Sequence, residues 1–284
     1  MKTSVITDEI SQDLEEAIQV AECFHLNAIE LRTVWDRQPH ELTEEQISKI
    51  KSLVEQHHLG VCAIASPFYK CALCQKEISQ HLEILRKTIW VAQRLDCKII
   101  RGFSFWAEGD FDAALGRIVR AFDAPIQMLQ EADRILAIEP DPSVYACNGA
   151  RTAQLVHAIG NPNVQILWDA GNDVYSPEYE RPFPDGYRKV QGNVVHVHLK
   201  DAVVSDGKAQ CVALGRGIVN WPEQLKALKH DGFDGYISLE THYRKDAQLG
   251  EGLMRLPGGS AFSFGAREAS EECLGVLNRM LRTV

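Results

Sequence analysis

No run of eighteen apolar residues occurs in this 284-residue chain, so a bilayer-spanning helix is not expected and neither is a membrane partner. Basic excess is lacking too: 30 Lys and Arg face 39 Asp and Glu, for a formal net charge of −9. Proteins that bind a phosphate backbone normally carry the opposite balance, so no nucleic-acid partner is expected. The first nine residues turn acidic at Asp8-Glu9 without an apolar leader region, which predicts a cytoplasmic protein. Eight cysteines are scattered, and the one close pair, Cys71 and Cys74, has no second pair at zinc-site spacing; reduced thiols are expected. No Gly-x-Gly-x-x-Gly follows the first β-rich run, which counts against a dinucleotide fold. No linker or low-complexity break divides the chain, so one domain over 1–284 is expected.

What the chain does have is alternation. Strand-like runs at 4–9, 28–32, 61–66, 97–103, 134–139, 164–169, 194–199 and 235–240 are mostly separated by segments with helical spacing. Asp13-Leu14-Glu15-Glu16 and Thr43-Glu44-Glu45-Gln46 read as capping boxes. Pro125 should kink the fourth helix, and Asn220-Trp221-Pro222 reads as a cap with proline in the first turn. The segment 173–188, rich in Pro, Tyr and charge, predicts a short helix or a loop, and 241–265 a long loop that is a lid or an oligomer contact. Strict β-α alternation means a parallel sheet under helices, and eight units predict α/β class, a single (β/α)8 TIM barrel.

The chemistry concentrates at strand ends. In the seventh run, Val195, Val197 and Leu199 point one way and His196, His198 and Lys200 the other. Two imidazoles and an ammonium inside a protein need partners. Glu139, Asp169 and Glu240 each end a strand on the corresponding face. Four successive strands thus present Glu139, Asp169, His198 and Glu240 at one level of the C-terminal mouth, where such barrels carry their sites. Three carboxylates that close cannot all stay ionised without a cation. Three oxygens and one nitrogen suit one divalent metal ion: Mn²⁺ first, with Mg²⁺, Co²⁺ or Zn²⁺ as alternatives. His196 lies one layer deeper, as a hydrogen-bonded support or as a ligand contact.

These residues, with Ile29-Glu30-Leu31-Arg32, Trp168-Asp169-Ala170-Gly171-Asn172, Leu214-Gly215-Arg216-Gly217 with Trp221, and Ser238-Leu239-Glu240, resemble the sugar isomerase/epimerase superfamily of xylose isomerase-like TIM barrels. The resemblance covers essentially the whole chain. Each motif is short, and it is their joint order that is specific, to the superfamily rather than to one member.

The ketose-epimerase pattern implies that Glu139, Asp169, His198 and Glu240 bind one divalent metal and that Glu139 and Glu240 exchange protons with a small sugar or polyol next to its carbonyl. Lys200 is then expected to stabilise an enediolate or to be solvated. Glu30, Arg32 and Arg101 either orient hydroxyls or form a buried ion-pair network. Arg216 either holds a carboxylate or phosphate or sits in a structural turn. His196, Glu30, Arg101, Lys200 and Arg216 are thus the substrate-binding candidates. Two departures stand out: Asn172 replaces a histidine often found three residues after the strand-six aspartate, and Pro140-Asp141-Pro142 replaces polar residues. The alternatives are a dehydratase of a keto-polyol or keto-acid, of inosose or 3-dehydroshikimate type, and an endonuclease IV-like nuclease. The nuclease would need further histidines where Thr33, Ser66 and Asn172 stand. Homo-oligomerisation is expected from family habit alone.

Overall fold

The computed structural model describes residues 1–284. Ten strands occur: β1 Lys2–Val5, β2 Ala28–Leu31, β3 Gly60–Phe68, β4 Ile99–Gly102, β5 Ile135–Ile138, β6 Val164–Asp169, β7 Val194–Leu199, β8 Asp201–Ser205, β9 Lys208–Val212 and β10 Tyr236–Leu239. Eight of them form one parallel sheet in the order β1-β10-β7-β6-β5-β4-β3-β2. A parallel bridge between Ile6 and Glu30 joins its two edges, so the sheet curls into a nearly closed barrel. This is the (β/α)8 architecture that the alternation predicts.

Helices α1 Leu14–Cys23, α2 Glu44–Gln56, α3 Gln75–Arg94, α4 Phe111–Ala121, α5 Asp123–Ala132, α6 Gly149–Ile159, α7 Ala170–Tyr175, α8 Tyr187–Val190 and α9 Trp221–His230 follow in chain order, and α12 Ala266–Leu281 ends the chain. Their apolar stripes face the sheet: Leu14, Ala17, Ile18 and Ala21 in α1 and Ile47, Ile50 and Val54 in α2 are buried. At the bottom of the barrel, Ala28, Cys62 and Ala63 pack with Ile99 and Tyr236 as a small plug. Above the plug the interior turns polar, with Glu30 and His196 fully buried.

Local details depart from expectation for physical reasons. The first strand stops at Val5, and Thr7–Glu9 form a 3-10 turn that aims Asp8 and Glu9 inward. The Thr43 capping box is present, whereas Asp13 accepts only from the Glu15 N–H. Rather than kinking one helix, Pro125 lies in the first turn of α5, where its missing N–H has no partner to lose. Asn220 has φ 61° and makes no side-chain cap. The segment after β7 is an antiparallel hairpin, β8–β9, turning at Asp206-Gly207 with φ 51° and 73°. The segment after β10 holds two short helices, α10 Glu251–Arg255 and α11 Gly259–Ser263.

That last segment passes over the barrel mouth. The Arg255 guanidinium lies 4.2 Å from the ring of Trp106, which belongs to the loop after β4 on the far side of the barrel. The chain then returns to the loops after β1 and β2: the Gly259 N–H donates to Thr33 Oγ1 at 2.9 Å, and the Ser263 hydroxyl to the Asp8 carbonyl at 2.8 Å.

Candidate active site

The ends of β5, β6, β7 and β10 converge. Ladder register places Asp169 beside His198 and His198 beside Ser238, so Glu240 falls just above. Glu139, Asp169, His198 and Glu240 each offer a ligating atom, and these atoms lie within 4.8 Å of one another. Above them opens a cavity of about 710 Å³, lined at its floor by Glu139, Glu240, Lys200 and Arg101. Asp169 and His198 stand behind that floor, fully buried.

Local structure aims each group. Asp169 Oδ1 accepts the N–H of Gly171 at 2.9 Å and of Asn172 at 3.3 Å, capping α7 and leaving Oδ2 for the cluster. His198 Nε2 is 3.0 Å from Glu30 Oε1, so Nδ1 is the nitrogen turned to the cluster, 3.2 Å from Glu139 Oε1 and 3.7 Å from Glu240 Oε2. Glu30 also holds His196 Nε2 at 2.8 Å. A carboxylate behind an imidazole fixes its ring and raises its basicity. Lys200 is not solvated: its ammonium is 2.6 Å from both Asp169 Oδ2 and Glu240 Oε2. Trp221 Nε1–H donates to the Lys200 carbonyl at 2.9 Å. Gly171 lets the backbones approach there, since a Cβ on it would fall 2.9 Å from Lys200 Cβ.

Charge follows from this crowding. Burial, reinforced by Glu240 and Glu139 against the pull of Lys200, pushes the Asp169 carboxyl up to about 7. Burial alone would raise Glu240 as well, but Lys200 and His198 hold it well below the usual range. His198 goes the other way: burial disfavours its charge, yet Glu30, Glu240 and Glu139 raise it well above an ordinary imidazole. The ammonium of Lys200 thus stands where the charge of three carboxylates needs a cation.

The donor set fits a divalent ion. Three carboxylate oxygens and one imidazole nitrogen form a hard to borderline site. Asp169 Oδ2 is buried without a hydrogen bond, because the nearby Lys200 ammonium is not aligned to donate to it.

The other expected contacts divide. Arg101 lines the cavity, with Nη1 3.3 Å from Glu139 Oε2 and its other nitrogens donating to the Ser66 and Ala65 carbonyls. Glu30 and His196 are fully buried below the floor and pair with each other, so neither reaches the cavity. Arg32 forms ion pairs with Asp8, Glu9 and Glu240 at 2.7–3.0 Å. Arg216 does not join the site. Its side chain is 69% exposed and pairs with Glu272 at 3.2 Å. The glycines around it are structural: the N–H groups of Gly215, Gly217, Val219 and Ala202 all donate to the Asp201 carboxylate.

Several wall residues had no role in the sequence pattern. Lys70 pairs with Asp141 at 2.7 Å and lies 4.6 Å from the ring of Phe103. His242 and Arg244 come from the first residues after β10, and Lys208 from the hairpin. Asn172 faces the cavity while its amide donates to the Pro140 carbonyl at 2.8 Å. His242 follows Glu240 by two residues, but both lie beyond the last strand pairing and His242 has φ 45°, so strand alternation does not place its side chain.

A nearly closed ring of parallel strands with a polar cluster at their C-terminal ends is a (β/α)8 barrel, and that end is where such barrels carry their sites. Residues 18–259 match the family described as xylose isomerase-like TIM barrel, and the chain belongs to that family. Solved structures give the same fold at low identity. The D-psicose 3-epimerase with D-tagatose from Clostridium cellulolyticum H10 is 12% identical, with 99% of each chain covered and a TM-score of 0.74. The IOLI protein with a binding zinc atom is 16% identical, covering 100% of this chain and 99% of its own, at 0.74. The probable 3-DHS dehydratase AsbF from Bacillus anthracis is 16% identical, covering 98% and 99%, also at 0.74. No curated protein matches the chain by sequence.

Proposed function

We propose that this chain is a divalent-metal-dependent isomerase or epimerase that moves a proton next to the carbonyl of a ketose or related polyol. The observation that carries it is the convergence of Glu139, Asp169, His198 and Glu240 on one point at a cavity floor. Those four residues would hold one ion, Mn²⁺ first among the candidates, with Glu30 steadying His198 from behind. When bound, the ion polarises a substrate carbonyl and stabilises the charge left by an α-proton.

The chain's own groups do the proton work. Glu139 and Glu240 come from β5 and β10, on either side of β6 and β7, so they face the substrate from two directions. One carboxylate takes the α-proton and the other returns a proton. Return to the opposite face of the same carbon gives the epimer; return to the neighbouring carbon gives the isomer. Lys200, already between Asp169 and Glu240, stabilises negative charge on the substrate oxygen, and Arg101 holds Glu139 in place. Arg216, Glu30 and His196 have no substrate contact in this reading. The working unit is one domain over 1–284, cytoplasmic, and a homo-oligomer in keeping with its family.

A second reading, dehydration of a keto-acid or keto-polyol, is favoured by one feature. Of the six cations that line the cavity, Lys70, Arg101, Lys200 and Arg244 are paired with carboxylates, but Lys208 and Arg255 are in no ion pair. Two unpaired cations on the wall suit an anionic substrate. The proton-abstraction step is shared, and loss of a β-hydroxyl follows it.

The test is incubation with ketoses, inososes and 3-dehydroshikimate in deuterated water, with and without Mn²⁺. Metal-dependent deuterium entry next to the carbonyl is expected, falling about 10²–10⁴-fold in Glu139→Gln and Glu240→Gln. Full exchange in both variants refutes the assignment.

A further inference from the structure

His242 is left unused by the chemistry above, yet the structure constrains it heavily. It lines the same cavity and is only 6% exposed. Both ring nitrogens are buried and neither has a hydrogen-bond partner. The nearest carboxylate oxygens to Nε2 are Glu9 Oε1 at 3.6 Å and Glu240 Oε1 at 3.9 Å, beyond hydrogen-bond reach. Buried polar atoms in native proteins are nearly always paired, and an exception on a cavity wall points to a group that arrives from outside.

The ring is also held in place. Its backbone has φ 45°, in the left-handed region, where strain persists only when the surroundings impose it. The His242 N–H donates to Glu9 Oε2 at 3.1 Å. Glu9 is itself fixed by Arg32 at 2.9 Å, and the Ser270 hydroxyl donates to its carbonyl at 2.6 Å. The imidazole packs edge-on against Phe262, with centroids 5.2 Å apart. The Asp8-Glu9-Arg32 network thus positions a ring that it leaves unbonded.

Glu9, Glu240 and His242 could also offer three donor atoms to a second cation. Arg32 already lies 2.9 Å from Glu9 and 2.7 Å from Glu240, and Arg244 3.6 Å from Glu9. A further positive charge would face two guanidiniums, so the unbonded nitrogens suit a neutral partner better.

We propose that His242 is a substrate-binding residue whose imidazole hydrogen-bonds a hydroxyl of the ligand seated against Glu240, and so selects for ligands that carry that hydroxyl. This rests on the sugar or polyol reading above. An imidazole offers one donor and one acceptor in either neutral tautomer, which a hydroxyl can meet from either side.

The experiment uses full-length protein with Mn²⁺, as wild type, His242→Phe and His242→Asn. The probes are D-allulose, D-fructose and the monodeoxy analogues of each, with Kd measured by calorimetry and KM and kcat by deuterium exchange. Wild type is expected to bind one deoxy analogue about tenfold or more weakly than its parent. His242→Phe should erase that preference and raise the parent's KM about tenfold, with kcat changed less than about threefold. His242→Asn, which tolerates positive φ and keeps polar atoms, should recover part of the preference. Without ligand, the Phe variant should melt close to the wild-type temperature, because no hydrogen bond is lost and only the backbone preference at positive φ changes. A lower melting temperature with equal weakening of every ligand would assign His242 a structural role and overturn the proposal. Two Mn²⁺ per wild-type chain, falling to one in the Phe variant, would overturn it as well. If the Phe variant binds sugars like wild type, this inference alone fails; if wild type binds no sugar, the sugar reading fails and takes this inference with it.

Discussion

Replacing Lys200 by Met tests the claim that an ammonium and a divalent ion draw on the same carboxylates. Lys200 is 3% exposed and sits 2.6 Å from oxygens of both Asp169 and Glu240. Breaking a buried ion pair by removing one partner costs about 3–5 kcal/mol. The lower end applies, because the Asp169 carboxyl, already near 7, takes up a proton once the ammonium is gone. A loss of about 3 kcal/mol corresponds to about 6 °C in Tm for a chain of this size. Calorimetric melts without metal should therefore separate the two proteins by about that amount. With Mn²⁺ at a hundredfold excess over its Kd, wild type should gain about 2.7 kcal/mol. The variant should gain more, because the ion no longer meets a competing charge at the same oxygens, and its Mn²⁺ affinity should rise. A gap that stays constant or widens on adding Mn²⁺, or weaker Mn²⁺ binding by the variant, would refute the idea of competition.

Gly217→Ala should destabilise the chain by about 2–4 kcal/mol in denaturant titrations, since its Cβ would fall 2.0 Å from Asp201 Oδ1 and 2.5 Å from the Ala202 carbonyl. Arg216→Ala should stay within about 0.5 kcal/mol of wild type with unchanged turnover, because its one ion pair is at the surface. His81 accepts the Tyr69 N–H at 2.9 Å, and burial lowers its pKa from 6.5 to about 4. The unfolded chain then binds the proton more readily, so stability is full above pH 6.5 and falls as the pH drops from 6.5 through 4. Allowing for the partial exposure of the ring, that loss is about 1–2 kcal/mol, and denaturant midpoints at pH 7 and 4.5 should draw closer in His81→Gln.

The barrel was legible because inward and outward residues alternate along each strand, and because capped amphipathic helices follow most of them. The cluster was legible for the same reason: a carboxylate that is the last inward residue of a strand has to arrive at the mouth. What escaped was set by contacts distant in sequence or by irregular backbone. Glu9 was read as part of a strand, and only the 3-10 turn turns it toward Arg32. Arg216 could be read as an anion ligand or as part of a turn, and what decides for the turn is a partner, Glu272, 56 residues away on α12. The hairpin after β7 did carry a local signal, Asp206-Gly207 between β-formers, a pair suited to the positive φ of a tight turn. His242 lies beyond the last ladder pair, so its left-handed backbone could not be read from strand periodicity.

The segment that leaves β10 reaches Trp106 on the opposite rim and returns to Thr33 and Asp8, so it forms an arch over the floor where the four donors meet. Anything resting on that floor therefore has walls from the strand ends and a ceiling from a single stretch of chain. Arrival and departure run around or beneath that stretch. Exchanging residues of the arch is therefore expected to alter what enters while the floor stays as it is.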